Sequence, residues 1–406
     1  MTATATAVPR PASAGPLGAW RRTPWWGRAL LIFAASRVVT TLLFLWVGAQ
    51  GTAESRAGED PSLLALHTAW DGQWYWLVSA YGYPTVLPTE GGEVATNQWA
   101  FLPVYPFVAE VLSLGVVEAW PLAAVTVSVL CGFGAAVLLH LLLAPHVGES
   151  RATFAVAVFA FSPLSFVLQM AYAESMTLLL LFAALCLIDR HRYVAAIPVA
   201  LVLAYTRPGV LALGLAAGLH LLTRYWRAHR GGPPVPRREL AGAVAFGAVV
   251  VAAGFSWIGI AALVTGVPDA YFETELAWRA LWMGRVDVVL FEPWFFAGRF
   301  WFGPTWGPIA VVTLVIAFFA LLFTPTVRRL GTLNRLYLSS YALYLLAVFF
   351  PQSSLFRLLM PMAPLAGALT PRPLALRAAV LAGCTALQAL WLWVVLGPFQ
   401  TYWSVL

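Results

Sequence analysis

Lysine is missing from this chain: all 24 basic positions among its 406 residues are arginine. Charged residues of either sign make up only 10% of it, where soluble proteins carry about a quarter. Cysteine is scarce. Cys131, Cys186 and Cys384 each lie inside an apolar run, where such residues serve core packing, so neither a disulfide framework nor a metal set is expected. There is no phosphate-binding G-x-x-x-x-G-K-S/T loop, no G-x-G-x-x-G fingerprint and no G-x-S-x-G elbow. Nucleotide-driven chemistry is therefore not expected, and any substrate must arrive already activated. The net charge of +7 does not point to nucleic acid, because the arginines fall in short loops between apolar runs, where the positive-inside rule accounts for them.

What the chain has is apolar sequence: 61% of its residues are hydrophobic. Runs of roughly 20 residues recur from residue 29 to 398, each able to cross a hydrocarbon core of ~30 Å. The runs are continuous and do not alternate, which excludes a barrel and leaves helices as the spanning form. The expected fold is all-α and polytopic, with about nine full spans at 28–50, 120–143, 153–171, 174–189, 240–265, 306–323, 336–351, 357–370 and 375–398. Residues 1–27, rich in Ala, Pro, Thr and Gly, read as a disordered cytoplasmic tail ahead of an uncleaved first span. Residues 28–406 read as one transmembrane domain.

Charge assigns the sides. With the tail and alternate loops placed inside, 17 of the 24 Arg residues share the cytoplasmic face. The two long outer loops, about 51–119 and 267–305, then collect acids: residues 51–97 carry six against one Arg, and 267–305 carry five against three. Under this arrangement 98–118 cannot cross, and Pro103 and Pro106 suit a juxtamembrane or re-entrant segment. Residues 193–223 become a helical hairpin broken at Thr206-Arg207-Pro208. The rival is one long helix with Arg207 as a defect, which puts an Arg cluster on the wrong side.

Five polar positions stand out. Asp71 lies in HTAWDGQWYWLVSAYGYP, residues 67–84, which read as an interfacial helix of the first outer loop. Its aromatics suit a membrane-surface belt, but a belt needs no acid, and an acid at a membrane face is costly without a partner or a task. Glu174 sits at an outer turn, either capping the next helix or facing the cleft with Asp71. Arg207 is expected within the membrane, as a phosphate ligand, or in a salt bridge or carbonyl clamp that holds the broken hairpin. Arg357, at another outer turn, has no acidic neighbour in sequence. It suits either general lipid contact or a two-pronged grip on one phosphate. Arg37, inside the first span, ranks lower and is expected to snorkel inward.

The order of these blocks resembles a known family. Trp70-Asp71, then Ala80-Tyr81-Gly82-Tyr83, Trp99 through Pro106, Ser162-Pro163, Ala171-Tyr172-Ala173-Glu174-Ser175, Thr206-Arg207-Pro208 and Phe356 through Pro361 together resemble glycosyltransferases of the GT-C superfamily. More narrowly, they are similar to the PIG-V-like mannosyltransferases. The resemblance spans about residues 37–365 and implies mannose transfer from a polyprenyl-phosphate donor at the extracytoplasmic face of a cell membrane, with Asp71 as the catalytic carboxylate. The lysine-free composition suggests a bacterial member, so the eukaryotic acceptor is not carried over. A glycolipid, a glycan or a protein is expected in that role. Residue chemistry adds Asp71 as general base, with Arg357 and Arg207 holding the donor phosphate. Trp70, Trp74, Tyr105, Tyr172, Glu174 and Gln352 are expected to line the cleft. No resident cofactor or metal set is expected, the lipid-linked sugar being a co-substrate. The rival readings are a transporter or flippase of lipid-linked sugars, whose usual internal repeat is not visible, and a scaffold in which Asp71 is dispensable.

Overall fold

The computed structural model describes residue 20 and residues 22–284, 289–369, 371 and 373–398. Most of the expected tail lies outside the described residues, as do Asp287 and Arg372. Sixteen helices follow in order: α1 (Trp25–Gly48), α2 (Leu63–His67), α3 (Asp71–Tyr81), α4 (Val104–Leu112), α5 (Trp120–Val147), α6 (Glu149–Phe161), α7 (Glu174–Asp189), α8 (Tyr193–Ala204), α9 (Val210–His229), α10 (Arg237–Thr265), α11 (Ala270–Met283), α12 (Glu292–Leu322), α13 (Pro325–Arg328), α14 (Thr332–Val348), α15 (Leu355–Leu358) and α16 (Leu374–Leu396). The only strands among the described residues, β1 (Thr89–Glu90) and β2 (Glu93–Val94), pair antiparallel around a Gly91-Gly92 turn. Both glycines have positive φ, the geometry that a two-residue hairpin turn requires.

The protein is an all-α membrane protein. Among the described residues, five helices are long and apolar enough to cross a bilayer: α1, α5 with its short lead-in, α10, α12 and α16. Their outward faces carry exposed apolar side chains such as Leu42, Leu130, Val251, Ile316 and Leu390. The centre of the bundle is α5, which packs on α1, α4, α6 and α7. Helix α12 is two arms, because Gly303 (φ 79°) breaks it before Pro304. The arms fold onto each other so closely that a Cβ at Gly307 would collide with the Gly298 backbone.

Several expected spans take a shorter form. The first span keeps its length but is shifted, running from Trp25, directly after Pro24, to Gly48. The run 153–171 stops being α-helical at Phe161, where Ser162-Pro163 intervenes, and continues as a 3-10 turn at Ser165–Gln169. The run 357–370 becomes α15 and a tight 3-10 helix, Met360–Ala368, because Pro361 and Pro364 each remove a backbone donor. Residues 98–118 contain only α4 as α-helix, nine residues long, too short to cross.

Residues 193–223 fold out and back. Glu239 at the start of α10 pairs with Arg224 and lies 3.8 Å from His191, so both ends of the segment meet. Arg207 at its midpoint pairs with Glu174, at the opposite end of α7 from Asp189. The arms are not a closed pair, however: α8 packs mainly on α7 and α10, and α9 mainly on α10 and α14. This gives a topology test. In intact cells a cysteine replacing Glu90 should react with a membrane-impermeant maleimide, and one replacing Arg230 should react only after permeabilisation. Labelling of the Arg230 position in intact cells would reverse the hairpin. Arg230 is the better probe site than its neighbour Gly231, whose φ of 87° suits no side chain.

Candidate active site

Helix α3 begins at Asp71 from a strained entry. Trp70 precedes it with φ 60° and ψ −123°, a sparsely populated conformation for a bulky residue. Two contacts hold it there. The Trp70 indole donates to the carbonyl of Val395 on α16 at 3.1 Å, and Arg56 lies over its ring at 4.1 Å. The Asp71 N–H donates to the Tyr172 hydroxyl at 3.2 Å, while the Ala171 N–H donates to the His67 carbonyl at 2.8 Å. The 170–173 turn therefore fixes where the Asp71 backbone sits.

Around Asp71 the fold assembles four charges from four separate parts of the chain. Arg357 bonds to the Asp71 carboxylate, and the same nitrogen lies 3.2 Å from Glu174. Glu174 also pairs with Arg207. The arrangement alternates in sign, Asp71–Arg357–Glu174–Arg207, and sums to zero. The Tyr172 ring lies beneath it, with the Arg357 guanidinium 5.2 Å from its centroid. Burial disfavours charge on Arg357, but Asp71 and then Glu174 outweigh it and push its pKa above the ordinary value. The Arg357 Nε is buried without a hydrogen-bond partner. Side-chain exposure grades the set: 5% for Glu174, 8% for Arg357, 16% for Arg207 and 21% for Asp71. Asp71 is thus the member best placed to meet a ligand.

The other expected residues divide. Tyr172 belongs to the site. Glu174 is the first residue of α7, but its carboxylate is committed to the two arginines rather than to capping. Arg207 takes the salt-bridge role, joining the other three charges through Glu174. Arg357 is not unpartnered. Trp74 stacks on Phe101 at 5.8 Å and meets Trp278 of α11 edge-on at 4.9 Å. Gln352 donates to Ser354 at 3.1 Å within its own loop. Tyr105 does not line a cleft: it is fully buried, donating to the carbonyl of Ala124 and bonded to Ser128. Ser128 in turn donates to the carbonyl of Tyr172, so Tyr105 props the site from behind. Arg37 does not snorkel. It donates to the carbonyls of Ser165 (2.7 Å) and Ala160 (3.0 Å), groups released where α6 ends.

Beside the charges runs an apolar groove of about 600 Å³. Its walls include Phe159 and Leu164, Trp294 and Phe318 from the two arms of α12, Leu345 of α14, and Phe356. Leu355, Phe356 and Leu359 of this lining are sequence neighbours of Arg357. Nothing in the sequence marked this groove, since its lining looks like any other apolar stretch. No family model and no curated protein matches the chain.

Proposed function

We propose that the protein is a glycosyltransferase of GT-C type, similar to the PIG-V-like mannosyltransferases, acting at the extracytoplasmic face of a cell membrane. It transfers a sugar, mannose by that resemblance, from a polyprenyl phosphate to a hydroxyl of a glycolipid, glycan or protein. One observation carries the reading. An apolar groove of about 600 Å³ runs beside Arg357, whose guanidinium is shared with the most exposed carboxylate of the site. A lipid phosphate needs an apolar slot for its tail and a cation at its head, and the acceptor needs a base nearby.

The chemistry follows from the charge balance. The acceptor oxygen attacks the anomeric carbon, its proton passes to Asp71, and the bond from that carbon to the phosphate oxygen breaks. The sugar inverts, and the polyprenyl phosphate leaves with one more negative charge. Protonation of Asp71 cancels its charge and loosens its hold on Arg357. The guanidinium is then released toward the phosphate as negative charge grows there. The neutral resting cluster becomes cationic in step with the departing anion, and Arg207 keeps Glu174 compensated throughout.

The test uses purified protein in detergent with radiolabelled polyprenyl-phosphate mannose and a panel of hydroxyl acceptors. Detergent removes the two membrane faces, so transfer there separates an enzyme from a flippase. Absence of transfer to every acceptor, with donor bound, would refute the reading. Filling the groove should act through donor binding. Val315→Trp is expected to raise the donor KM about tenfold, equivalent to roughly two buried methylenes at ~0.8 kcal/mol each. The acceptor KM should stay unchanged, and a donor with a two-isoprene tail should be affected less.

A further inference from the structure

Helix α11 carries a polar face that the mechanism above does not use. Tyr271, Glu275 and Arg279 recur at every fourth residue, so they share one side of the helix. The helix is fastened at two points. Thr274 and Asn97 are joined at 2.9 Å, and Arg279 donates to the carbonyl of Val348, at the end of α14, at 2.8 Å. On its flank Trp278 meets Trp74, itself one turn beyond Asp71 on α3.

This face looks toward the four-charge cluster. Tyr344 of α14 lies within electrostatic reach of Glu275, Arg279 and Arg207 together, and Tyr341 within reach of Arg207 and Glu174. The turn after Arg207 rests on the same two rings: a Cβ at Gly209 would stand 3.6 Å from Tyr341 and 3.7 Å from Tyr344. Glu275 thus lies near Tyr344, one of the two rings on which the turn after Arg207 rests.

Glu275 makes no ion pair among the described residues. Tyr271 stands one turn before it on the same face, within electrostatic reach of its carboxyl, and Arg279 is engaged with the Val348 carbonyl. Burial pushes the Glu275 carboxyl above its ordinary value, against the opposing pulls of Arg279 and Tyr271. A half-buried carboxylate with two acceptor oxygens and a phenol one turn away matches the adjacent hydroxyls of a sugar ring, and Tyr344 supplies an apolar face for that ring.

We propose that Glu275, with Tyr271 and Tyr344, forms a binding site for a polyhydroxylated, sugar-bearing acceptor, and that it selects this class over simple alcohols. The identity of the bound molecule as acceptor rests on the glycosyl-transfer reading; its binding does not.

The test measures binding of radiolabelled octyl α-mannoside to the full chain in lipid nanodiscs, with empty nanodiscs subtracted and octanol as competitor. Wild type should bind saturably, and octanol should not compete. Glu275→Gln should weaken binding at least tenfold, and Tyr271→Phe about threefold, with melting temperatures unchanged. The inference is overturned by any of three results: no saturable binding to wild type, wild-type binding by Glu275→Gln, or losses in both variants that merely follow lowered melting temperatures. If binding behaves as expected but wild type transfers nothing from the lipid donor, the site stands and the glycosyltransferase reading fails.

Discussion

Asp71→Asn should lower transfer by roughly 10²–10⁴-fold, the range over which a positioned base contributes. The amide keeps the shape of the carboxylate but cannot take the acceptor's proton. It also cannot release Arg357 in step with the reaction, because it never held the guanidinium by charge. The site should nonetheless stay assembled. Glu174 remains 3.2 Å from Arg357, Tyr172 still accepts from the residue 71 N–H, and Trp70 keeps its bond to Val395. Expression and melting temperature should therefore stay near wild type, and donor binding should persist. Initial rates at saturating donor and acceptor decide the matter. A variant turning over within a few-fold of wild type would remove Asp71 from the role of base and the mechanism with it.

Arg357→Ala should do damage of two kinds. Asp71 and Glu174 would be left with one arginine between them, and Glu174 is only 5% exposed. Breaking a buried pair by deleting one partner costs about 3–5 kcal/mol, so the melting temperature should fall. Both kcat and donor affinity should fall as well. Arg357→Lys separates these effects. It keeps the charge but loses the planar fork, and one ammonium cannot face Asp71 and a phosphate with the same geometry. The rate should drop more than donor affinity, because the shared grip counts most as the phosphate leaves. Kinetics with varied donor at saturating acceptor give both numbers. A change confined to the acceptor KM would move Arg357 to the acceptor side. If Arg357→Ala left both rate and affinity intact, Arg207 would become the phosphate ligand.

The charges of the site were legible in the sequence because the chain has so few. Asp71, Glu174, Arg207 and Arg357 stand out in apolar surroundings, and each carries a desolvation cost that asks for a reason. Their meeting was not legible. Asp71 and Arg357 are 286 positions apart, and local pattern does not report which loops converge, so Arg357 reads as unpaired. Arg207 shows the same limit: a salt bridge is a foreseeable role for it, but local pattern does not name Glu174 as its partner. Tyr105 shows the limit for aromatics, since a tyrosine whose hydroxyl finds Ser128 in the core looks the same in sequence as one lining a cleft. The run 357–370 shows the limit of apolar content. Its length suggests a span, whereas Pro361 and Pro364 decide its form.

Those short elements affect the surrounding lipid. Helix α6 and the Met360–Ala368 turn lie against each other and both line the groove. At ~1.5 Å per residue for an α-helix and ~2 Å for a 3-10 helix, each rises only about 18–20 Å, against ~30 Å for a bilayer core. Where the 3-10 turn meets lipid, one relief of such a mismatch is local thinning of the bilayer. Beside the groove, headgroups should therefore settle below their level in the rest of the leaflet. A lipid phosphate can then reach the depth of Arg357 without its tail leaving the hydrocarbon.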